Sequence, residues 1–248
     1  MRTMTEELFR DDATLLHCQA TLTAVSDGVI ELDRTVFYPQ GGGQAGDSGR
    51  LRRADGAELA ITDTRKGAVP SQILHCVAPG TDLSGWAVGQ AVTAEIDAAR
   101  RLAHRRFHTA THLLCALVPH PVDGCSITAG YARLDFHMTA PLDKEALTAG
   151  IARLVAGAHP VTQRWISDAE LDANPGLVRS MSVQPPRGSG LLRLVRIGLE
   201  SAPIDLQPCG GTHVANTAEI GAVVVTKIEK KSAKTRRVVL GFAEPADA

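Results

Sequence analysis

The chain of 248 residues lacks the features that mark membrane and secreted proteins. No apolar run reaches the roughly 20 residues that a membrane-spanning helix needs. The first residues, MRTMTEELFRDD, do not contain the apolar core of a signal peptide. The five cysteines are an odd number without the spacing of a disulfide framework. We therefore expect a cytoplasmic protein without a membrane partner, whose thiols stay reduced and are available for metal binding or packing.

The chain also lacks net positive charge, since 26 Lys and Arg against 27 Asp and Glu give a formal charge of −1. This balance excludes a generally basic nucleic-acid-binding protein. Basic residues are nevertheless concentrated in two segments, which are two solvated faces in the simplest interpretation and a nucleic-acid contact in the alternative. The segments consist of Arg100, Arg101, Arg105 and Arg106, and of Lys227, Lys230, Lys231, Lys234, Arg236 and Arg237.

Residues up to about Ile96 contain short β-type segments between turns and no long helical pattern. The predicted strands are Ala20–Val25, Val29–Leu32, Val36–Tyr38, Glu58–Thr62, Gln72–Val77 and Ala91–Ile96. Several short strands separated by Gly, Asp and Pro turns favour a small antiparallel barrel or sandwich. We therefore predict a β-rich first domain over residues 1–96.

The sequence pattern changes at Asp97, a good helix N-cap, after which neither Gly nor Pro occurs until Pro119. A long helix therefore opens a second domain, which we predict over residues 97–248. The pattern indicates an α+β fold in which helices pack on an antiparallel sheet. The further predicted elements are helices over Asp143–Ala158 and from a capping box at Ser167–Glu170, and strands over Leu192–Ile197, Val223–Ile228 and Arg237–Phe242.

Four residues have the types and spacing of zinc ligands. His108 and His112 lie four residues apart in the predicted helix, so they share a face and can reach one zinc ion. Cys209 and His213 are also four apart, but the Gly-Gly pair between them favours a tight loop. The position after the first histidine holds Thr109 and not the glutamate of the related metalloprotease motif, which excludes a protease of that type.

The chemistry of this set leaves a structural and a catalytic zinc site open. Four protein ligands normally close the zinc shell, as in a structural site, whereas catalysis needs a position for water. A weakly held histidine that yields to solvent would provide that position. No Asp or Glu lies within either motif to serve as a general base.

The stretch FYPQGGGQAGDSG, residues 37–49, contains five glycines, three of them consecutive. It matches neither a P-loop nor a dinucleotide-binding loop. A flexible hairpin turn is one interpretation, and a loop in which Gly42 and Gly43 approach a ligand is the other. Gln44 is the most useful side chain of such a loop, because its amide offers donors and an acceptor to a ribose or an ester.

With these motifs, the chain resembles the free-standing alanyl-tRNA editing proteins (AlaX family, larger form), which are relatives of the editing domain of alanyl-tRNA synthetase. The resemblance covers nearly the whole chain and implies a glycine-rich β-barrel domain followed by an editing domain. The segments that carry it are FYPQGGGQAGDSG, HTATHLL from His108, LRLVRIG ending at Gly198, PCGGTHV from Pro208, EIG from Glu219 and the pair Arg236-Arg237.

The resemblance implies a hydrolase that removes serine or glycine from the terminal adenosine of mischarged alanine tRNA. It implies one zinc ion per chain, bound by His108, His112, Cys209 and His213. It also gives Arg236 and Arg237 a possible contact with the tRNA. From their charge and their position just before His108, we expect Arg105 and Arg106 to contact tRNA phosphates.

Serine should be accepted and alanine refused, because a site that hydrogen-bonds a hydroxyl strongly rejects the analogue without it. Thr109, Thr111 and Thr212 are the nearby hydroxyl donors, and each can instead bond to backbone. We choose Thr109, with Gln44, as the candidate catalytic residues.

Two other functions are compatible with the same residues. One is a zinc-stabilised tRNA-binding module that leaves the ester intact, and the other is an esterase that acts on another aminoacyl substrate. We expect the protein to edit tRNA and not to charge it, because nothing in the sequence resembles the activating domain of a synthetase. The oligomeric state is left open.

Overall fold

The computed structural model of the protein describes residues 4–178 and 190–243. The chain divides into two compact units, the first formed by Met1–Gly41 and Ala45–Leu102 and the second by Gly42–Gln44 and Ala103–Ala248. The segment Gly42–Gln44 therefore belongs to the second unit although it lies early in the sequence. Within the described ranges, no helix combines the length and hydropathy that crossing a membrane requires.

The first unit consists mainly of β-strands, with a 3₁₀ helix at Leu8–Arg10. In chain order its strands are β1 (Glu6–Glu7), β2 (His17–Ser26), β3 (Val29–Leu32), β4 (Arg34–Thr35), β5 (Gly49–Arg53), β6 (Glu58–Ile61), β7 (Asp63–Lys66), β8 (Ile73–Cys76) and β9 (Ala91–Ile96). Strands β1 and β4 form a short parallel pair. The other seven form one antiparallel sheet in the order β6-β5-β9-β2-β3-β8-β7.

This sheet is open and does not form the predicted barrel. Its long strand β2 pairs with β9 through His17–Thr21 and with β3 through Leu22–Ser26, so one strand joins two halves of the sheet. The outer strands β6 and β7 are not paired with each other within residues 4–102, and a barrel requires that closing pair.

The predicted strand Val36–Tyr38 is also wrong, whereas the other five predicted strands of this unit are confirmed, with ends that differ by at most three residues. Val36–Tyr38 is buried because of its apolar side chains, but it forms no ladder with another strand. Instead the Tyr38 N–H donates to Asp47 Oδ2 at 2.7 Å, and the Asp47 N–H donates to the Tyr38 carbonyl at 3.0 Å. A local pair of this kind closes a loop and does not extend a sheet.

The second unit is mixed, and its first helix, α1, begins in the first unit. Two further 3₁₀ helices lie at Pro175–Leu177 and Thr217–Ile220. The elements are α1 (Ala98–Leu117), β10 (Val122–Ile127), β11 (Ala132–His137), α2 (Lys144–Ala156), β12 (Val161–Ser167), α3 (Asp168–Ala173), β13 (Leu191–Leu199), β14 (Ala202–Pro208), β15 (Val223–Ser232) and β16 (Thr235–Phe242).

The three predicted helices are confirmed, each with the expected residue at its start. The carboxylate of Asp97 accepts from the Arg100 N–H at 3.0 Å. Asp143 caps α2, and Ser167 with Glu170 forms a capping box at α3. Such side-chain acceptors satisfy N–H groups that have no partner within the helix.

Helices α1 and α2 pack on an antiparallel sheet of order β10-β11-β16-β15. Phe107 and Leu113 of α1 and Ile151 of α2 share one core with Leu134 and Val238 of the sheet. A second antiparallel sheet, of order β12-β13-β14, has its own small core with α3. The predicted α+β fold with helices on antiparallel sheet is therefore confirmed for this unit.

Candidate metal centre

The four predicted ligands lie together in the second unit. One ligand atom from each of His108, His112, Cys209 and His213 lies within 4.8 Å of all the others. Helix α1 presents the first two on one face, and the loop after β14 supplies the other two. His104, one turn earlier on α1, is buried as well but does not belong to this group.

The distances within the group suit a tetrahedral metal ion. The Cys209 Sγ lies 3.3 Å from His108 Nε2 and 3.3 Å from His213 Nε2. Zinc bonds of about 2.0–2.3 Å at tetrahedral angles separate neighbouring ligand atoms by about 3.4–3.7 Å. A thiolate with three imidazoles is also a donor set that zinc prefers and that magnesium and calcium do not.

The Nδ1 atom of each of the three rings lies within hydrogen-bonding distance of an oxygen of the surrounding protein. A neutral imidazole donates through one nitrogen and accepts through the other, so an acceptor at Nδ1 places the proton there and leaves the Nε2 lone pair for a metal. The pairs are His108 with Gln44 Oε1 at 2.8 Å, His112 with Asp205 Oδ2 at 2.8 Å and His213 with Thr109 Oγ1 at 3.2 Å.

Gln44 is fully buried, and both ends of its amide are bonded within the protein. Besides His108, its Oε1 accepts from the Thr212 N–H at 3.0 Å, and its Nε2 donates to Thr212 Oγ1 at 3.0 Å. Gln44 therefore holds a ligand ring and the ligand loop at once. This geometry favours a positioning role over the direct contact with substrate that the sequence suggested.

The threonine hydroxyls near the centre are buried and bonded in the same way. Thr109 Oγ1 donates to the Arg105 carbonyl at 2.8 Å and accepts from the Val214 N–H at 3.2 Å. Thr111 donates to the carbonyl of His108 at 2.7 Å. Thr109 is thus arranged to hold the ring of His213.

Gly43 and Gly211 make room for these contacts. Gly42 and Gly43 both have positive φ, at 58° and 85°, and Gly43 accepts from the Ile127 N–H at 2.7 Å. A Cβ on Gly43 would lie 2.7 Å from Cys125 Sγ, and one on Gly211 would lie 2.0 Å from His108 Cε1. Both distances are far below van der Waals contact, so a side chain at Gly43 would collide with Cys125 and one at Gly211 would displace His108.

Asp205 was not predicted as a site residue, although it is fully buried beside His112. Gln207 supports it, since its Nε2 donates to Asp205 Oδ2 at 2.9 Å. A usable signal is present in the sequence: Asp205 and Cys209 are four positions apart in a strand-like stretch, and residues at an even offset in a strand point to one face.

The electrostatics of the group favour a thiolate. Burial alone raises the pKa of the Cys209 thiol, but His108 and His213 outweigh burial and hold this pKa well below its ordinary value. Burial lowers the pKa of His213 well below its ordinary value. Burial also lowers the pKa of His112, but the hydrogen bonds with Asp205 and Cys209 prevail and raise it to about 10. The thiolate is the form that binds a metal.

The arginines before His108 are bonded to the protein. Arg101 is fully buried in the first unit with Asp47, and its Nε lies 3.0 Å from the carboxylate. In the second unit, Arg105 Nε donates to the His213 carbonyl at 2.8 Å, and Arg106 Nε donates to the Ile220 carbonyl at 2.6 Å. Arg106 also stacks on a ring, with its Cζ 4.0 Å from the centroid of Phe242.

The second basic segment forms the hairpin of β15 and β16. Arg237 makes two bonds to Asp135, at 2.7 and 2.8 Å, and Arg236 donates to the Ser232 carbonyl at 3.2 Å. The hydrogen bond with Asp135 raises the pKa of Arg237. The lysines of this hairpin are exposed: Lys227, Lys230, Lys231 and Lys234.

The fold and these contacts define an α+β protein with a cluster of three histidines and one cysteine that is able to hold a metal ion. Each of the three rings is bonded through Nδ1 to the surrounding protein. Two family models match the chain. One is described as "Threonyl and Alanyl tRNA synthetase second additional domain" and matches residues 192–239. The other, "tRNA synthetases class II (A)", matches residues 7–100.

Curated relatives match nearly the whole chain. The alanyl-tRNA editing protein AlaX-M of Methanosarcina barkeri is 34% identical over 95% of this chain and 98% of its own length. AlaX-M of Methanosarcina mazei is 32% identical over 98% of both chains. The chain therefore belongs to the family of alanyl-tRNA editing proteins.

Longer relatives match over part of their length. The alanine–tRNA ligase of Pyrobaculum aerophilum is 34% identical over 91% of this chain, which corresponds to 25% of the ligase. The match of residues 7–100 to a synthetase model differs from our expectation that nothing in the chain resembles the charging part of a synthetase. Apart from Gly42–Gln44, the matched region lies within the first unit.

Proposed function

We propose that the protein is a trans-editing hydrolase that removes serine or glycine from mischarged alanine tRNA with one zinc ion per chain. The observation that carries this proposal is the convergence of His108, His112, Cys209 and His213 in a member of the alanyl-tRNA editing family. The donor set and the spacing of 3.3 Å between Sγ and two Nε2 atoms fit zinc. We expect the enzyme to act in the cytoplasm.

The zinc would be bound by the three Nε2 atoms and the Cys209 thiolate. When bound, it supplies Lewis-acid polarisation of a carbonyl, which suits hydrolysis of an aminoacyl ester. The contribution of the chain is to hold each ring in one tautomer and orientation. Gln44 does this for His108 and Thr109 for His213, so both act on the ester through a ligand.

Gln44→Ala should therefore lower metal affinity and turnover together, because His108 Nδ1 loses its acceptor. Gln44→Glu keeps an oxygen at that position and should restore metal affinity. Chelator competition on the purified variants measures the first property, and deacylation of Ser-tRNA measures the second. Unchanged affinity in Gln44→Ala, with altered discrimination between serine and alanine, would return Gln44 to a direct role at the substrate.

The preference for serine over alanine would arise from a hydrogen bond to the serine hydroxyl. Thr109, Thr111 and Thr212 are at most 3% exposed, so none of them is open to substrate in this conformation. We do not assign the hydroxyl-binding group to them. We keep Gly42 and Gly43 as proposed substrate-site residues, and they also carry Gln44 to His108.

We propose that the tRNA lies against the β15–β16 hairpin, with its exposed lysines and with Arg236 and Arg237 as further contacts. Arg105 and Arg106 keep a possible contact through their outer nitrogens, but their bonds to the His213 and Ile220 carbonyls point to a second role in holding the ligand loop. Replacing both by alanine should lower thermal stability along with tRNA binding. Weakened binding at unchanged stability would restore the simple phosphate contact.

We propose that residues 1–96 form the glycine-rich domain and residues 97–248 the zinc-binding editing domain. The segment Gly42–Gln44 is the exception, since it belongs to the compact unit that contains the metal centre.

The deciding experiment compares deacylation of Ser-, Gly- and correctly charged Ala-tRNA by purified enzyme, before and after chelation. We expect Ser- or Gly-tRNA to be hydrolysed, Ala-tRNA to be spared, and the activity to disappear with the zinc. Binding of tRNA without hydrolysis would indicate a zinc-stabilised binding module. Hydrolysis of free aminoacyl esters alone would indicate an esterase for another substrate.

A further inference from the structure

Trp165 is a large apolar side chain in an exposed position. It lies on β12, at the edge of the three-stranded sheet whose other outer strand leads into Cys209, and it is 42% exposed. The other tryptophan, Trp86, is only 8% exposed in the core of the first unit. Its exposed indole ring offers a flat apolar face on which another aromatic ring can stack.

The face of the sheet that carries Trp165 leads to the ligand loop. Gln163 and Trp165 are two residues apart on one strand, so they share a face. Gln163 Oε1 accepts from Arg193 Nε at 2.6 Å, which shows that Arg193 points to this face too. Arg193 Nη1 in turn donates to the carbonyls of Cys209 and Gly211, at 3.1 and 2.7 Å.

Trp165 also lies in the same row of the sheet as the cysteine ligand. It is the register partner of Arg193, and the Cys209 N–H donates to the Arg193 carbonyl at 3.1 Å. Neighbouring strands are about 4.8 Å apart, so two strand spacings of about 10 Å in total separate Trp165 from Cys209. The opposite face packs Ile166 and Leu194 into the core with α3.

We propose that Trp165 is the stacking platform for the 3′-terminal adenine of the tRNA, a proposal that rests on the function proposed above. An ester whose carbonyl lies at the metal centre is attached to a ribose, and the base lies beyond that ribose. Trp165 is a flat, accessible ring two strands from Cys209, on the face that leads to it. Unpaired terminal bases are commonly bound by stacking on such rings.

The test uses two uncharged RNA minihelices, one ending in CCA-3′ and one that lacks the terminal adenosine. The parent should bind the first about 5- to 100-fold more tightly, the range typical of one base–aromatic stack. Trp165→Ala should bind both equally, and Trp165→Phe should restore most of the difference. Leu199→Ala is the matched control, because Leu199 is 64% exposed at the other end of β13 and should leave the difference intact.

Zinc content and thermal unfolding are measured on the same variants and should not change, since the four ligands keep their partners. Equal affinity of the parent for both minihelices would contradict stacking of the terminal adenine on Trp165, while the proposed tRNA binding would stand. A terminal-adenosine preference that persists in Trp165→Ala overturns it as well. Failure of the parent to bind either minihelix overturns the proposed tRNA partner and the platform together.

Discussion

Buried histidines occur in both units, but their ring nitrogens have different partners. In the first unit, His75 Nε2 lies 2.8 Å from the hydroxyl of Thr35, and its Nδ1 lies 3.1 Å from the Ile30 carbonyl. In the second unit, the Nδ1 atoms of three rings face protein oxygens, while the Nε2 atoms of His108 and His213 face the sulfur of Cys209.

The difference shows what separates a packed histidine from a ligand. Both kinds are at most 6% exposed, so burial does not distinguish them. A ring whose two nitrogens meet a neutral donor and a neutral acceptor is complete without a metal. A ring that is bonded on one side and directed at a thiolate on the other offers a lone pair to a cation. Three substitutions test this distinction.

The largest effect should come from Cys209→Ala, which removes the thiolate that the rings face. We expect loss of bound zinc and a fall in deacylation of more than about 100-fold, beyond the range for residues that only support ligands. Elemental analysis and a Ser-tRNA deacylation assay measure the two effects. Cys18→Ala, in the first unit, is the control and should keep both metal and activity. If the Cys209 variant loses zinc but deacylates at the parental rate, the metal is structural.

Asp205→Asn should have the next largest effect, because a carboxylate holds the Nδ1–H of His112 more strongly than an amide. Metal affinity should fall by about 10- to 100-fold. Competition with a chromophoric chelator measures it without reference to activity. The chain offers a matched control in Asp123→Asn, since Asp123 pairs with His137 at 3.3 Å on the surface. Equal affinities in the two variants would contradict the role of Asp205.

Replacing His75 should change the pH dependence of the free energy of unfolding and not the metal content. Burial lowers its pKa from 6.5 to about 4. Between pH 7 and pH 5 the unfolded chain therefore takes up a proton that the folded chain does not, and the free energy of unfolding falls as the pH falls. The loss amounts to about 2 kcal/mol by pH 5.

His75→Gln keeps a donor and an acceptor but does not titrate, so its stability should decline less steeply over this range. Urea unfolding at pH 7, 6 and 5 measures the slope. Zinc content should be unchanged in this variant, in contrast to the ligand variants. Parallel stability curves for the variant and the parent would show that the ring of His75 is not held neutral.

The smallest effect should come from the hairpin lysines. Replacing Lys230, Lys231 and Lys234 by alanine should weaken tRNA binding and lower the slope of log affinity against log salt by about 1 for each phosphate contact removed. Zinc content and stability should stay at the parental values. An unchanged salt slope would move the tRNA surface away from this hairpin.

The sequence was informative wherever the spacing itself determines the geometry. Two histidines four residues apart on a helix share a face, and Asp97, Asp143 and Ser167 begin helices because of their side chains. The partners of the rings were not predictable in this way. Asp205 lies 93 residues from His112, and only the pairing of β14 brings it there.

Two wrong or incomplete predictions also have physical causes. Alternation of residue types predicts strands but not whether the outermost two of them pair, which is why the barrel was predicted and an open sheet is found. Composition likewise does not show which arginines meet acceptors. Arg101 was grouped with a basic surface, whereas its guanidinium is buried against Asp47, 54 residues away in the sequence.

The membership of Gly42–Gln44 in the second unit has a consequence for biosynthesis. Gln44 leaves the ribosome 168 residues before Thr212, the residue to which it also bonds. At about 5–20 residues per second, this interval lasts about 10–30 s. In the later part of this interval the nascent chain contains His108 and His112 but not Cys209. The full set of four potential metal ligands is therefore complete only late in synthesis.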